Sequence, residues 1–375
     1  MINQNFGLPR WVDLVVLPIF NLALALLAAG CVVLAIGQDP WRVLHVLLQG
    51  ALGSELGVGY TLYYATTFVF TGLAVAVAFH GGLFNIGGEG QAILGGLGAG
   101  LVALWLSPQL PAFVMLPLMV LSSMAAGMAW AFVPAYLQAY RGSHVVITTI
   151  MFNFLAASLS VYLLVNWLKV PGSMSVESAS FADSAHLPKM HDLLALIGIE
   201  WPSSPLNAST LIAVLALVGV YLFLWHSRAG YSLRVVGASA GAAGYAGIKP
   251  QREVVRAMMI SGALAGLVGM NEIAGVSGRL LLDFVAGAGF TGIAVALMGR
   301  NHPIGIVLAS LLFGVLFQGG AEVAFEVQGF TRDMVVTVQG FIVLFSGALS
   351  QVSAPMLAKL LRARRRRMAG EVTYG

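Results

Sequence analysis

The chain has 375 residues, of which 59% are hydrophobic and only 9% are charged, with a formal net charge of +4. Soluble globular proteins are about 45–50% apolar and about 25% charged, so a chain of this composition could not cover its surface in water. The composition therefore predicts an all-α protein that crosses the membrane many times, and it excludes soluble enzymes, transcription factors and disulfide-rich secreted domains.

About ten apolar stretches divide the chain, and each is long enough for a whole or a half membrane helix. In chain order these predicted spans are residues 14–36, 56–79, 91–106, 112–139, 143–168, 208–225, 257–275, 284–298, 303–319 and 334–349. Their short lengths and many glycines indicate that some of the later spans are broken or half-length. We expect an N-terminal segment with the first span (1–43), a main transmembrane domain (44–350) and a basic tail (351–375). Cys31 is the only cysteine, which excludes an intrachain disulfide.

The charges between the spans predict the orientation of the chain in the membrane. Residues 169–207 hold two lysines against four acids, whereas residues 228–256 hold five basic residues against Glu253 alone. Lys and Arg in short loops favour the cytoplasm, so residues 169–207 form an outer loop and residues 227–256 a cytoplasmic loop. Both termini are then cytoplasmic. The arginine run in the tail is typical of an anchor to anionic membrane lipids rather than of a nucleic-acid surface.

The first candidate functional segment is residues 81–91, which combine five glycines with Asn85, Glu89 and Gln91. Glycine adopts backbone conformations that are closed to other residues. Non-helical backbone at membrane depth is tolerated only where protein or a water-filled cavity satisfies it, so a broken helix beside a pathway would have this composition. An ordinary cytoplasmic turn with a solvated Glu89 explains the segment equally well.

Two further segments stand out. In residues 237–248, Ser239 is suited to cap the start of a two-turn helix and Gly247 to end it. A helix so short is unstable alone in water, so it predicts a docking element, with a loosely ordered loop as the alternative. Residues 287–305 begin with glycines, continue as a short apolar helix and end at Asn-His-Pro. Their Gly-Phe start loosely echoes residues 82–84, as expected of an internal repeat around a transport pathway.

At these segments the sequence resembles the membrane permease subunits of bacterial ABC importers, in the branch for simple sugars, branched-chain amino acids and nucleosides. Residues 82–91 read Gly-Leu-Phe-Asn-Ile-Gly-Gly-Glu-Gly-Gln, similar to that branch's signature. Residues 237–248 are similar to the family's Gly-x-Asn-Pro-x-Ala-Ala-x-Tyr-Ala-Gly-Ile pattern, with Ser239 and Ala240 in place of Asn-Pro. Residues 148–153 and the long outer loop most resemble nucleoside-type permeases.

The resemblance implies a subunit that moves a small polar solute, a nucleoside first and a simple sugar second, across the bacterial inner membrane. It implies three partners: an external solute-binding protein, a second and different permease chain, and a cytoplasmic ABC ATPase that hydrolyses the ATP. This chain would then have no cofactor and no catalytic residue. The expected pathway residues are Phe84, Asn85, Glu89, Gln91, Asn153 and Phe290. The residues expected to couple to the ATPase are Ser239, Ala242, Ala243, Tyr245 and Gly247.

Other functions fit the sequence less well. The chain has no Gly-Lys-Ser/Thr phosphate-binding loop, and His186 and His191 in the outer loop are poorly spaced for a metal site. The main alternative is a secondary transporter driven by protons or sodium, which would place ionisable groups inside the membrane. Glu89 and Glu272 are the only acids near the interiors of the predicted spans.

Overall fold

The computed structural model describes residues 16–331, 334–341 and 355. This part of the chain is helical, and its only β-structure is three isolated bridges. Seven of its helices are long and apolar enough to cross a membrane. The prediction of an all-α polytopic membrane protein is therefore confirmed.

The helices follow one another in thirteen α-helical elements. They are α1 (Leu17–Ala35), α2 (Pro40–Leu52), α3 (Glu55–His80), α4 (Gly88–Leu106), α5 (Ala112–Arg141), α6 (Val145–Leu163), α7 (Met190–Ala195), α8 (Ser209–His226), α9 (Arg228–Ala238), α10 (Ala240–Tyr245), α11 (Pro250–Gly266), α12 (Ala288–Met298) and α13 (Pro303–Glu326). Short π-helical segments, Leu164–Leu168 and Met270–Ser277, extend α6 and follow α11.

Seven of the ten predicted spans coincide with the seven long helices. The first predicted span is one arm of a bent pair, Ala23–Ala35 and Pro40–Leu52, whose axes turn by 118° and which makes an eighth span if counted as one. Its second arm, α2, is absent from the predicted spans. The eighth predicted span is shorter than expected, because only Ala288–Met298 is helical there. The second half of the tenth, residues 342–349, lies outside the described residues.

The described residues form two compact units: residues 51–318 make the larger one, and the described residues before 51 and after 318 make the smaller one. In the smaller unit, the side chain of Gln38 donates to the carbonyl of Gln328 at 3.1 Å. Also in that unit, Gly319 lies so close to the backbone of Leu47 that an added Cβ would overlap it. Glycine therefore permits the close approach of α2 to the end of α13.

Small residues allow α4, α5 and α11 of the larger unit to pack backbone against backbone. A Cβ added to Gly127 or Gly262 would overlap the carbonyl of the other glycine. The hydroxyl of Ser123 donates to the carbonyl of Gly266 at 2.5 Å, which joins α5 to α11. In lipid, where lateral hydrophobic driving force is absent, such close contact is what holds helices together.

The segment predicted as a cytoplasmic loop, residues 227–256, is mostly helical. Ser227 caps α9 by accepting from the amide of Gly230 at 2.9 Å. Pro250 lies in the first turn of α11. A backbone N–H at that position has no acceptor within the helix, so the absence of an N–H in proline costs no helical hydrogen bond. The long helix α11 therefore starts well before the first residue of the predicted span, because Arg252, Glu253 and Arg256 belong to it. Arg256 and Glu253 pair at 2.9 Å within that first part of the helix.

Residues 169–207, which were predicted as an outer loop, pack against other parts of the larger unit. Arg279 and Glu177 form an ion pair at 2.8 Å, and the Lys189 ammonium donates to the carbonyl of Gly275 at 2.6 Å. Burial lowers the pKa of Lys189, and the nearby Asp192 carboxylate opposes that shift. These contacts fix the loop over the π-helical segment that follows α11.

Candidate functional site

The glycine-rich residues 81–87 interrupt the helical path between α3 and α4. Gly82 has φ of +76°, a left-handed conformation that favours glycine, and its α-carbon region lies against the backbone of Gly237. The turn therefore lies beside the start of the second candidate segment. The chain resumes as a helix at Gly88.

Asn85 organises this interruption from the inside. Its side-chain oxygen accepts from the amide of Gly87 at 2.8 Å, and its side-chain nitrogen donates to Gln91 at 3.0 Å and to Ser261 at 2.9 Å. Ser261 in turn donates to the carbonyl of Ala74 at 2.6 Å. Asn85 is almost completely buried, and as both donor and acceptor it joins the turn to α4, α11 and α3.

Asn153 supports the same interruption from α6. Its side-chain oxygen accepts from the amide of Gly90 at 2.9 Å, and its side-chain nitrogen donates to the carbonyl of Ile86 at 2.9 Å. Both partners are backbone groups at the broken helix, one of them an amide in the first turn of α4, where no intrahelical partner exists. The four predicted residues Asn85, Glu89, Gln91 and Asn153 are thus brought together around one break.

Glu89 connects this break to the third candidate segment. Its carboxylate accepts from the amides of Gly287 at 2.9 Å and Gly289 at 2.8 Å. These amides belong to the start of α12, so the carboxylate lies at the positive ends of both α4 and α12. Glu89 is only 8% exposed, so the interpretation of this segment as an ordinary turn with a solvated Glu89 is wrong.

The backbones at the two helix starts are in close contact. A Cβ added to Gly289 would overlap the backbone of Glu89, and one added to Gly88 would lie 3.4 Å from the carbonyl oxygen of Gly289. Gly287 has φ of +82°, which turns the chain into α12. The two interrupted segments, loosely alike in sequence, therefore meet at their glycines.

The two phenylalanines named as pathway residues are more accessible. Phe84 is half-buried with its ring edge-on to Phe79 at 6.5 Å between centroids, and Phe290 is 48% exposed. Phe290 directly follows Gly289, so its side chain projects from the start of α12, where Glu89 accepts the two glycine hydrogen bonds.

The second candidate segment forms the short helix that the sequence predicts. The Ser239 hydroxyl accepts from the amide of Ala242 at 3.3 Å, and Gly247 ends the helix with φ of +76°. The amides of Gly247 and Ile248 donate to the carbonyls of Gly244 and Ala243, which satisfies the last carbonyls of the helix. The helix and its two ends are therefore ordered, and a loosely ordered loop is excluded.

One of the predicted coupling residues points inward. Ala243 is fully buried within the chain, where α10 packs on α9, so its methyl group cannot contact another subunit. Tyr245 is 98% exposed, and Ala242 is exposed beside it. The exposed coupling residues of this segment are therefore Ser239, Ala242, Tyr245 and Gly247, and Ala243 is not among them. Helical spacing could have separated the two faces, but only the packing of α9 decides which face is inside.

A second buried polar cluster surrounds Glu272. The sequence did not predict that these residues contact one another. The Glu272 carboxylate accepts from the hydroxyl of Tyr63 and, at 2.7 Å, from that of Thr67. Neighbouring Asn271 donates to Thr67 at 2.7 Å and accepts from Ser209 at 2.6 Å. The cluster joins the π-helical segment to α3 and α8. Tyr63 and Thr67, one turn apart on α3, are the sequence feature that could have indicated the cluster. Nothing in the neighbouring sequence indicates that they contact Glu272.

Comparisons with known proteins agree with one another. Residues 57–347 match the model of a family described as branched-chain amino acid transport system / permease component. The chain is 37% identical to a glucose ABC transporter permease of Haloferax volcanii over 334 residues, 88% of this chain and 86% of that protein. It is 34% identical to a guanosine ABC transporter permease of Bacillus subtilis over 339 residues, 88% and 91% of the two chains. It is 33% identical to a nucleoside ABC transporter permease of Lactococcus lactis over 341 residues, 88% and 90% of the two.

The bacteria of the last two comparisons each have a second, less similar permease. A second guanosine permease of Bacillus subtilis is 27% identical over 259 residues, 68% of this chain and 78% of that protein. A second nucleoside permease of Lactococcus lactis is 28% identical over 277 residues, 73% and 84% of the two. The chain thus resembles one permease of each pair more than the other.

Proposed function

This chain belongs to the ABC transporter permease family that its sequence matches, and we propose that it is a membrane-spanning subunit of an ATP-driven importer for a nucleoside. A simple sugar is the second candidate, because a relative named as a glucose permease is 37% identical, against 34% and 33% for the guanosine and nucleoside permeases. Permease subunits of this family are not themselves enzymes. ATP hydrolysis is assigned to a separate cytoplasmic ATPase, and solute delivery to an external binding protein.

The observation that carries this proposal is the contact of Glu89 with the start of α12. Interrupted helices whose N-termini meet within the membrane are typical of transport pathways, where the unpaired amides at those ends need acceptors. Here the acceptors are protein side chains, namely Glu89 for α12 and Asn153 for α4. We therefore assign these polar residues to support of the pathway wall, and solute contact to the more exposed Phe84 and Phe290.

An exposed aromatic ring at such a wall is compatible with a nucleoside, because aromatic rings stack on nucleobases, a contribution of about 1–3 kcal/mol for each stacked base. Phe290 is exposed for such contact. Replacing Phe290 with leucine should then reduce guanosine uptake more than glucose uptake.

The energy for transport is proposed to enter through α10. The helix is ordered at both ends, and Tyr245 projects from it with almost its whole surface free. A large exposed aromatic side chain is typical of an interface hot spot. We propose that this face docks on the ATPase and transmits its closure through α9 to the spans.

The second permease of the complex is proposed to be a different, related chain. Its support is that two bacteria each have two relatives, one of them clearly more similar to this chain. The proposed orientation in the inner membrane places residues 227–256 and both termini in the cytoplasm and residues 169–207 outside, following the charge bias.

The test of the solute is uptake by the reconstituted complex. The chain is purified with its second permease and ATPase, placed in liposomes, and supplied with ATP inside and a candidate binding protein outside. We expect ATP-dependent uptake of labelled guanosine that unlabelled guanosine, but not glucose, competes away. Uptake of glucose alone would replace the nucleoside proposal by the sugar one, and the Phe290→Leu variant measures whether the ring contributes.

A further inference from the structure

A groove with basic and aromatic residues lies at the end of α8, and none of the predicted pathway residues lines it. It has a volume of about 580 Å³ and is bounded by the end of α8, by α9 and by residues just after α10. Arg228 and Arg234 line it, together with His226. Two arginine side chains around one groove favour an anionic ligand.

The two arginines lack acidic partners. Neither Arg228 nor Arg234 forms an ion pair with any residue that the structure describes. Guanidinium groups form strong, charge-assisted hydrogen bonds with phosphate oxygens, so a phosphate group in the groove would give these two arginines an anionic partner.

The aromatic side chains around the groove are typical of a membrane interface. Trp225 lines it and stacks with Tyr221 at 5.6 Å between ring centroids, and His302 lies 5.0 Å from the same indole. Tyr231, also in the groove, is exposed. Tryptophan and tyrosine are enriched where a membrane helix leaves the hydrocarbon region, because their rings are part apolar and part polar.

An exposed apolar stripe leads along α8 to the groove. Leu215, Val218 and Leu222 are 71%, 47% and 50% exposed, and with Trp225 they follow the spacing of one helix face. An acyl chain lying along this stripe would bring its headgroup to the arginines. The stripe favours an amphiphile over a free phosphate ion or an acidic protein surface.

From these contacts we infer that the groove is a binding site for the phosphate headgroup of an anionic phospholipid, with one acyl chain along α8. Basic pockets between membrane helices bind such headgroups. The groove is bounded also by Ala246 and Ile248, directly after α10. A bound lipid would therefore contact the end of the proposed coupling segment and stabilise its position. Lipid binding here does not depend on the identity of the transported solute.

The test is native mass spectrometry of the full-length chain in detergent, titrated with dioleoyl phosphatidylglycerol or dioleoyl phosphatidylcholine. We expect the wild-type chain to prefer phosphatidylglycerol. Replacing Arg228 and Arg234 with glutamine should weaken that binding about fivefold for each arginine removed, the equivalent of about 1 kcal/mol per basic residue near a membrane surface. Arg141→Gln is the matched control, because Arg141 is exposed at the end of α5 and outside the groove. It should leave the affinity unchanged.

Three further measurements separate a lipid site from the alternatives. Arg234→Lys keeps the charge and should retain most of the affinity, while thermal unfolding of each variant shows that it is folded. Inorganic phosphate at millimolar concentration should not displace the lipid; displacement would mean a site for free phosphate and would overturn the lipid assignment. A photocrosslinker at Ser232 should capture lipid in the assembled complex, and capture of the ATPase instead would assign the groove to that subunit. Equal phosphatidylglycerol binding by the double variant and the wild type would also refute the site.

Discussion

Replacing Glu89 with glutamine tests whether one carboxylate holds two broken helices together. The carboxylate accepts from the amides of Gly287 and Gly289 at 2.9 and 2.8 Å, in a site that is only 8% exposed. Glutamine has nearly the same shape but carries one oxygen and one NH₂ group. One glycine amide would keep an acceptor, whereas the other would face a second donor.

The expected loss of stability follows from replacing one carboxylate oxygen with an NH₂ group. A hydrogen bond to a charged group contributes about 1.5–3 kcal/mol, and a buried N–H left without an acceptor costs about 1–3 kcal/mol. Because these two effects overlap, we expect Glu89→Gln to reduce the free energy of unfolding by about 2–4 kcal/mol. The matched control is Glu55→Gln, since Glu55 is exposed in the first turn of α3. Loss of that charge near a helix start should cost less than about 1 kcal/mol.

Two assays on the same preparations separate the roles of Glu89. Unfolding is followed by denaturant titration in detergent, and transport by uptake in the reconstituted complex. A supporting role predicts that stability and uptake fall together in Glu89→Gln, and also in Asn85→Ala, which loses the buried bonds to Gln91 and Ser261. Lost uptake at unchanged stability would instead indicate contact with the solute. If neither quantity changes, the contact between Glu89 and α12 has no role in the fold or in transport.

Three further predictions concern packing, coupling and orientation. Gly289→Ala should destabilise the chain by about 1–3 kcal/mol, because the new methyl group would overlap the Glu89 backbone. Gly219→Ala, at a position with open space, is the control and should not destabilise it. Equal unfolding curves for the two variants would refute the close approach of Gly289 to Glu89. Tyr245→Ala should leave thermal unfolding unchanged but reduce ATPase co-purification and uptake, and normal uptake would remove α10 from coupling. In a cysteine-free background, an impermeant thiol reagent on intact cells should label a cysteine at exposed position 183 but not one at exposed position 241; the reverse pattern would invert the proposed orientation.

Much of the fold follows from local features of the sequence. The long helices coincide with stretches that have few charged residues, although the first turns of α11 contain Arg252, Glu253 and Arg256. The ends of α10 lie where Ser239 and Gly247 are. These signals can be read because hydrophobic length and capping act on neighbouring residues. The helix α2 was missed because its 13 residues, which begin at Pro40 after the break at Gly37, are too few for a whole membrane span.

The contacts of the candidate site could not be predicted in the same way. Glu89 and its partner Gly287 are 198 residues apart, and only the packing of the helices brings them together. The sequence placed Glu89 in a glycine-rich break between spans, but it did not indicate that Glu89 would contact the start of α12. The inward direction of Ala243 and the pairing of Glu272 with Tyr63 are likewise decided by distant elements.

The central claim is that this chain is the permease of an importer driven by a separate ATPase. Its most direct test is uptake by the reconstituted complex with wild-type ATPase and with an ATPase whose phosphate-loop lysine is replaced by alanine. We predict uptake that requires ATP and is lost with the variant ATPase, at equal amounts of assembled complex. Uptake that continues with the variant ATPase and follows a proton or sodium gradient would contradict the claim and make the chain an ion-coupled transporter.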